Sequence, residues 1–377
     1  MEKIKTKEEE LDVSQGYWSL VWWKFKKSPL AILGAIIVII YYFVCVVAAE
    51  FFAPYALETK SDWEQAPPQK IHFFDEDGKF AGPFVYGKEE IIDQVSRKRV
   101  WGDDESFSYK IKFFVKAEEY KLLGFIPWNV HFYGGDYSYW EDGSMPEIHI
   151  FGTDTVGRDM LSRIIFGGRL SLVLGLVGVF LTLIFGTVLG TISGYYGGVT
   201  DIIIQRSTEF LSAFPDIPLF MALSAAIPLT WSPIAVYFML TVILSFVRWG
   251  GLSRQVRGLI LTIREQEFVL AAVSFGATDR RLMLKHLIPG TMSHVIVIIT
   301  LSIPGMILSE TALSWLGLGL RPPMTSWGVL LQEVAGVRQI RYFPWLMIPI
   351  PFIILVVLAF NLMGDGMRDA MDPYGGK

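Results

Sequence analysis

LSLVLGLVGVFLTLIFGTVLGTISGYYGGVT, residues Leu170–Thr200, runs its whole length without one charged side chain. A helix rises about 1.5 Å per residue and needs roughly 20 residues to cross the hydrocarbon of a bilayer, so this stretch is long enough to span it. Working outward, Leu30 to Ala49 is equally free of charge. From Phe210 to Val247 the only charged side chain is Asp216, and Pro228 and Pro233 bracket a Leu-Thr-Trp-Ser break, which divides the run into two helices joined by a short turn. Two further runs, about Met292 to Leu308 and about Phe343 to Met363, bring the expected crossings to six.

Composition agrees. Of the 377 residues, 52% are hydrophobic, more than an ordinary soluble domain with one wet surface carries. A single such run could be a buried helix of a large soluble protein; six together describe an all-α polytopic membrane protein. About thirty mixed-charge residues precede the first run, and Glu50-Phe-Phe-Ala-Pro offers no small-residue cleavage site, so that run is read as an anchor and not as a signal peptide. Lys24, Lys26 and Lys27 sit just before it and place the N-terminus in the cytoplasm. Six spans return the C-terminus to the same side. The segment between the fourth and fifth spans is then cytoplasmic, in keeping with its Arg254, Arg257, Arg264, Arg280, Arg281 and Lys285. The net charge of -4 says little about partners, since most of the acid lies in one external segment. Cys45 is the only cysteine, so there is no disulfide framework.

The chain is divided into a cytoplasmic N-terminal segment (1–29), a first transmembrane helix (30–52), an extracytoplasmic insertion (53–168) and a five-helix core (169–377) carrying a cytoplasmic loop (254–289). In the insertion, Phe107-Ser-Tyr-Lys-Ile-Lys-Phe alternates at period two and reads as a half-buried strand. Ile71-His-Phe-Phe and Glu147-Ile-His-Ile-Phe look similar, and Asp77-Gly78 and Asp142-Gly143 are turn signals, so a small β-rich domain is expected. Its aromatics, including Trp101, Trp128, Tyr133, Tyr137, Tyr139 and Trp140, read first as core and second as a ligand or partner surface.

Gly186, Gly190 and Gly194 repeat at four-residue spacing and give the second span a face that another helix can approach closely, in this chain's own bundle or in a second subunit. Glu209, Asp216, Arg248, Glu310 and Asp365 lie near predicted span ends and read as charges resting at the membrane surface.

One polar stretch interrupts the apolar half of the chain: AAVSFGATDRRLMLKHLIP, Ala271–Pro289. Glu265 to Phe275 is expected to be a short helix stopped by Gly276, with Thr278 or Asp279 capping a second helix from Arg280 to about Leu287, before Pro289. Ala271, Ala272 and Gly276 leave a low surface ringed by Phe268, Arg280 and Arg281. On pattern alone this is as much an ordinary structural hairpin as a docking surface.

The stretch resembles the EAA loop of ABC importer permeases. Ala271, Ala272, Gly276 and Pro289 fall in register with that pattern, while Leu270, His286 and Ile288 replace its Glu, Ile and Leu. Three further stretches resemble the C-type subunit of the dipeptide and oligopeptide branch. They are Phe151–Asp159 with Gly152, Asp154, Gly157, Arg158 and Asp159; Gly194–Asp201; and Trp315–Gly328 with Gly317, Gly319, Pro322, Pro323, Trp327 and Gly328. The resemblance implies a non-catalytic permease that forms half of a translocation pathway for peptides, or alternatively for nickel or oligosaccharides. It implies a second homologous permease subunit, two cytoplasmic ATPase subunits that dock on the 265–289 loop, an extracytoplasmic substrate-binding protein, and a prokaryotic cell membrane. It brings no cofactor, no metal and no nucleic acid.

The sequence itself fits that division of labour, since no Gly-x-x-x-x-Gly-Lys-Ser/Thr run occurs and the chain has no P-loop to cradle phosphates. An ion-coupled secondary carrier would need paired acids or broken helices near the membrane centre, for which only Asp216 and its neighbouring prolines stand. An intramembrane enzyme finds no His-Glu-x-x-His or Gly-x-Ser-x-Gly motif.

Overall fold

The computed structural model describes residues 16–75, 77–92, 99–135, 147–228 and 230–372. Helix α1 (Tyr17–Lys26) leads into α2 (Pro29–Tyr41), which Ser28 caps by accepting from Ala31 N at 3.4 Å. A π-helical stretch, Tyr42–Val47, continues α2, and a one-turn helix, Ala49–Phe52, closes the segment. The β-rich insert follows as β1 (His72–Phe74), β2 (Phe80–Ile92), β3 (Arg99–Lys110), β4 (Lys112–Leu122) and β5 (Ile126–Gly134). The rest is helical: α3 (Met160–Tyr196), α4 (Gly198–Ser212), α5 (Asp216–Ala225), α6 (Pro233–Ile263), α7 (Glu267–Ser274), α8 (Asp279–Leu282), α9 (Ile288–Trp315), α10 (Trp327–Gln332), α11 (Val337–Tyr342) and α12 (Pro349–Met371).

Among the described residues, five helical stretches are long and apolar enough to cross a membrane: Pro29–Val47, Met160–Tyr196, Pro233–Ile263, Asp279–Trp315 and Pro344–Met371. The third expected span does not form one such helix. Pro215 supplies no backbone N–H and forces the preceding residue out of the helical region, so the chain breaks between α4 and α5 and leaves α5 only ten residues long. The second span starts earlier than its apolar run, at Met160, because Asp159 caps it by accepting from Ser162 N at 2.7 Å.

The bundle core forms between α3, α6, α9 and α12, with Leu172, Leu174, Leu244, Ile307, Val356 and Phe360 among its fully enclosed side chains. Helices α3 and α6 meet most intimately. A Cβ on Gly190 would lie 2.6 Å from the Ser253 carbonyl oxygen, and one on Gly186 or Gly194 would press on Leu252 or Ile260. The four-residue glycine repeat therefore serves this chain's own bundle.

In the insert, β1, β2 and β3 form an antiparallel sheet and β4 and β5 a separate two-stranded ribbon. Asp77-Gly78 makes the expected turn, with Gly78 at φ +73°. Glu147–Phe151 is no strand; it forms the bend that brings Ile148 onto Val85, Ile111 and Tyr133 in the insert's small core. Within Phe107–Phe113 only Tyr109 and Ile111 turn inward, since the chain changes sheets at Ile111 and leaves Phe107 and Phe113 exposed. Tyr133 is core, Trp101 is half-buried and Trp128 is exposed, while Tyr137, Tyr139, Trp140 and the Asp142-Gly143 turn lie outside the described residues.

One end of the bundle carries the insert and the α10–α11 segment, joined where Trp345 Nε1 donates to Thr153 O at 3.2 Å. The opposite end gathers α1, the end of α12 and the α7–α8 hairpin, with Lys24 Nζ donating to Asp372 O at 3.0 Å.

Candidate functional site

The hairpin is built as a rigid knuckle. Helix α7 ends in a pair of bonds that close its last turn, from Ala277 N to Ala272 O at 3.0 Å and from Gly276 N to Val273 O at 2.9 Å. Gly276 takes φ +78°, a conformation that side chains disfavour, and nothing lies within 4 Å of where its Cβ would be. Of the two expected caps the chain uses Thr278, whose Oγ1 accepts from Arg281 N at 3.4 Å. Asp279 is thereby free to accept from Tyr195 Oη at 2.8 Å, which ties the knuckle to the end of α3.

The second helix of the hairpin does not stop before Pro289. It passes from α8 through a π-helical stretch, Met283–Leu287, straight into α9, with Ile288 N donating to Met283 O. A proline inside a helix lacks one donor and crowds the preceding turn; the wider π turn just before Pro289 accommodates both, and the helix continues. Arg254 to Ile263, expected as loop, are the last turns of α6, where Arg257 grips Asp201 through two contacts of 2.6 Å.

Burial on α7 is one-sided. Val269 is enclosed against Leu282 and Leu287 of the hairpin and Val256 and Ile260 of α6, with Ala272 partly buried beside it. Phe268, Leu270, Val273 and Phe275 face outward, Phe275 at 92% exposure. Ala271, Gly276, Arg280, Arg281 and Pro289 are exposed as well, so the structure brings every expected docking residue to one end of the molecule. Beside the turn lies a depression of about 430 Å³ lined by Ala272, Phe275, Gly276, Ala277, Thr278, Arg281 and His286. A helix apolar on nearly all sides that buries one stripe is a helix with a surface left to cover.

The other motif residues collect at the far end and act as fasteners. Asp154, wholly buried, accepts from Val156 N (2.8 Å), Arg158 N (2.9 Å), Arg158 Nε (2.7 Å) and Arg163 Nη1 (2.5 Å). Gly152 and Gly157 flank it in the turn. Arg163 also makes a two-pronged contact to Glu333, at 2.6 and 2.8 Å, which locks the start of α3 to the end of α10.

Asp159 accepts from His149 Nδ1 at 3.0 Å, and His149 Nε2 contacts Glu147 at 2.8 Å. Burial opposes the charged imidazolium, but the hydrogen bonds to Asp159 and Glu147 outweigh it and hold His149 at a pKa of about 9.

Glu310 does not rest at the membrane surface as expected; it is 1% exposed. Its carboxylate accepts from Ser171 (2.9 Å), Ser314 (2.8 Å) and Ser326 (2.7 Å), and Trp327, packed with no exposure, donates from Nε1 to Ile164 O at 3.0 Å. Gly317, Gly319 and the Pro322-Pro323 pair form the turn that returns the chain, and Gly328 packs on the Thr311 carbonyl. Arg248 also departs from a surface position: it sits midway along α6, half-buried, donating to Ser309 Oγ at 2.6 Å over the Phe220 ring. Glu333 carries no signal in the sequence, and the burial of Glu310 is not readable there because Ser171 and Ser326 reach it from other segments.

Long apolar helices, an exposed knuckle at one end and a fastened opposite end are the architecture of a polytopic membrane protein. Residues 186–374 match the family model described as the binding-protein-dependent transport system inner membrane component, and the chain belongs to that family. Residues 16–69 match the model of the N-terminal TM domain of oligopeptide transport permease C. The chain is 43% identical over 231 residues to the oligopeptide transport system permease protein OppC of Haemophilus influenzae, covering 61% of this chain and 72% of that one. It is 38% identical over 226 residues to OppC of Bacillus subtilis, with 60% and 72% covered. Against the glutathione transport system permease protein GsiD of Pectobacterium atrosepticum it is 38% identical over 229 residues, with the same coverage. Residues 70–185, with the whole β-rich insert, fall outside both family models.

Proposed function

We propose that this chain is one half of the membrane pathway of a peptide importer and that it receives its driving force through the α7–α8 hairpin. The observation that carries this reading is the uncovered apolar rim Phe268, Leu270, Val273 and Phe275 around the Gly276 turn, on a knuckle whose inner side is packed onto α6. A cytoplasmic ATPase subunit covers that rim, with Arg280 and Arg281 at its margin. Peptide is the cargo that the names of the relatives favour, since they are permeases for oligopeptides, dipeptides and glutathione.

In this reading the chain catalyses nothing itself. It pairs with a second homologous permease, two ATPase subunits and an extracytoplasmic binding protein, in the cell membrane of a prokaryote. The broken α4–α5 passage counts as the third of six crossings; both termini and the hairpin lie in the cytoplasm, and residues 53–168 lie outside. When nucleotide draws the ATPases together, the two knuckles move with them, and the bundles rock between inward-open and outward-open states. The family-motif residues at the fastened end, from Gly152 to Asp159 and from Gly317 to Gly328, keep their structural role through that motion.

Replacing Gly276 by Leu tests the coupling. The φ of +78° strains the new residue and its side chain stands where the ATPase sits. In proteoliposomes holding the full complex, uptake should fall at least tenfold while ATP hydrolysis persists and the variant still assembles. Wild-type uptake by that variant would sink the reading.

A further inference from the structure

The β4–β5 ribbon ends in Leu122-Leu-Gly-Phe-Ile-Pro-Trp128, seven residues whose only polar side-chain group is the indole N–H. Leu123 (φ +55°) and Gly124 (φ +82°) turn the chain, and Gly124 N donates to Lys121 O at 3.0 Å. Hairpin tips are commonly made of Asn, Asp and Gly, which water solvates. This one turns Leu123, Phe125, Ile126 and Trp128 outward, with Phe125 at 71% exposure. Isolated apolar residues on a surface need no explanation, but four adjacent ones on a projecting tip do.

The ribbon's course says what covers them. Its base is sewn to Ala49–Phe52, the turn that closes the first membrane-crossing segment. The Phe132 ring lies 5.9 Å from that of Phe51 and 5.3 Å from that of Phe52, the Phe114 ring lies 6.2 Å from Phe51, and His131 Nδ1 meets Ala53 O at 2.9 Å. Further along, the Tyr120 ring packs edge-on to that of His131 at 4.9 Å. Glu50, in the same turn, is held by Arg169 through two contacts of 2.7 Å, and Arg169 lies about 13 Å along α3 from its start. The ribbon is thus rooted at the end of the first membrane-crossing segment, and Ile126 at its tip lies only five residues, about 17 Å, along β5 from His131. Lys112, Lys116 and Lys121 are exposed along β4, with Glu118 and Glu119 between the last two, and Lys121 is the charge next to the tip. Aromatic and aliphatic side chains bordered by lysines are what the boundary between acyl chains and phosphates accommodates.

We propose that residues 122–128 dip into the outer leaflet of the bilayer, with Leu123, Phe125, Ile126 and Trp128 among the upper acyl chains and Lys116 and Lys121 at the lipid phosphates. The proposal rests on the reading that the insert is extracytoplasmic. A protein docked on the tip is the competing occupant, and it is disfavoured because the tip offers one side-chain hydrogen-bond donor and no charge to orient a partner.

The test uses the full chain with its partner subunits in nanodiscs of phosphatidylcholine and phosphatidylglycerol. Cys45→Ser removes the only cysteine, and Phe125→Cys then carries an environment-sensitive nitrobenzoxadiazole probe. The expected result is blue-shifted emission, quenched at least threefold more by lipids spin-labelled high on the acyl chain than by aqueous iodide. Emission typical of water, quenched by iodide and untouched by spin-labelled lipid, would overturn the proposal, as would a blue shift that arises only when the binding protein is added. Leu123→Cys gives an independent second position if the first variant fails to assemble. Ser106→Cys, exposed in the same insert, separates the two readings. Blocked by an impermeant maleimide from the cytoplasmic side only, it would refute the topology and the proposal with it; blocked from outside while the tip probe stays wet, it would refute the proposal alone.

Discussion

Arg163 is 1% exposed and is held through its two terminal nitrogens by Asp154 and Glu333, one carboxylate from the loop before its helix and one from the far end of α10. A buried guanidinium is costly to desolvate, and the cost is offset only while both partners stay. Arg163→Met should therefore destabilise by about 2–3 kcal/mol, because it takes one of the two guanidinium groups from the enclosed Asp154 and both contacts from Glu333; thermal unfolding followed by size-exclusion chromatography in detergent reads the loss. Glu310 sets a similar problem with neutral partners. Glu310→Ala leaves the hydroxyls of Ser171, Ser314 and Ser326 without their acceptor and should cost about 3 kcal/mol in the same assay, whereas Glu310→Gln, which keeps an acceptor and the volume, should cost less.

His149 gives the insert a pH dependence. The folded chain holds the imidazole proton to about pH 9, above the ordinary value of 6.5, so the stabilisation is full below 6.5 and fades as pH rises through 9. The whole difference is on the order of 3 kcal/mol. Unfolding midpoints taken from pH 6 to pH 10 should fall for the wild type and fall less for His149→Gln. A flat wild-type profile would count against the His149 pairing. None of these contacts is legible in one dimension: Glu310 stands at the end of an apolar run and reads as a surface charge, and Glu333 sits in a segment with no motif.

At the scale of elements, the long apolar helices and the glycine repeat were readable because length and small-residue spacing are local properties. Leu170–Thr200 is helical to Tyr196, and the expected Gly276 stop is where α7 ends. Two readings failed for physical reasons. Pro289 reads as a helix end, but a π turn absorbs it and the helix runs on. The third span reads as one helix, but Pro215 divides it. The knuckle's outward rim predicts an interface phenotype. Leu270→Ser with Phe275→Ser should reduce copurification of the ATPase subunit severalfold while leaving thermal stability within about 0.5 kcal/mol of wild type, since both side chains are exposed. Gly190→Leu should do the reverse: its side chain meets the Ser253 backbone, so α3 and α6 separate and little folded permease is recovered from membranes.

Across the whole molecule the two ends are held differently. At the insert end, α3, α9 and α10 are clasped by Asp154, Arg163, Glu333, Glu310 and Trp327, drawn from four segments. At the other end the knuckle offers its rim to solvent and is joined to α3 through Tyr195 and to α6 through buried aliphatic contacts. Between them, Asp279–Trp315 is one continuous helix of about 55 Å, with Pro304 in its interior. On the proposed reading, a shove delivered at the Gly276 turn travels along a crankshaft with one possible joint, Pro304, before it reaches the serine-lined carboxylate at the opposite extremity.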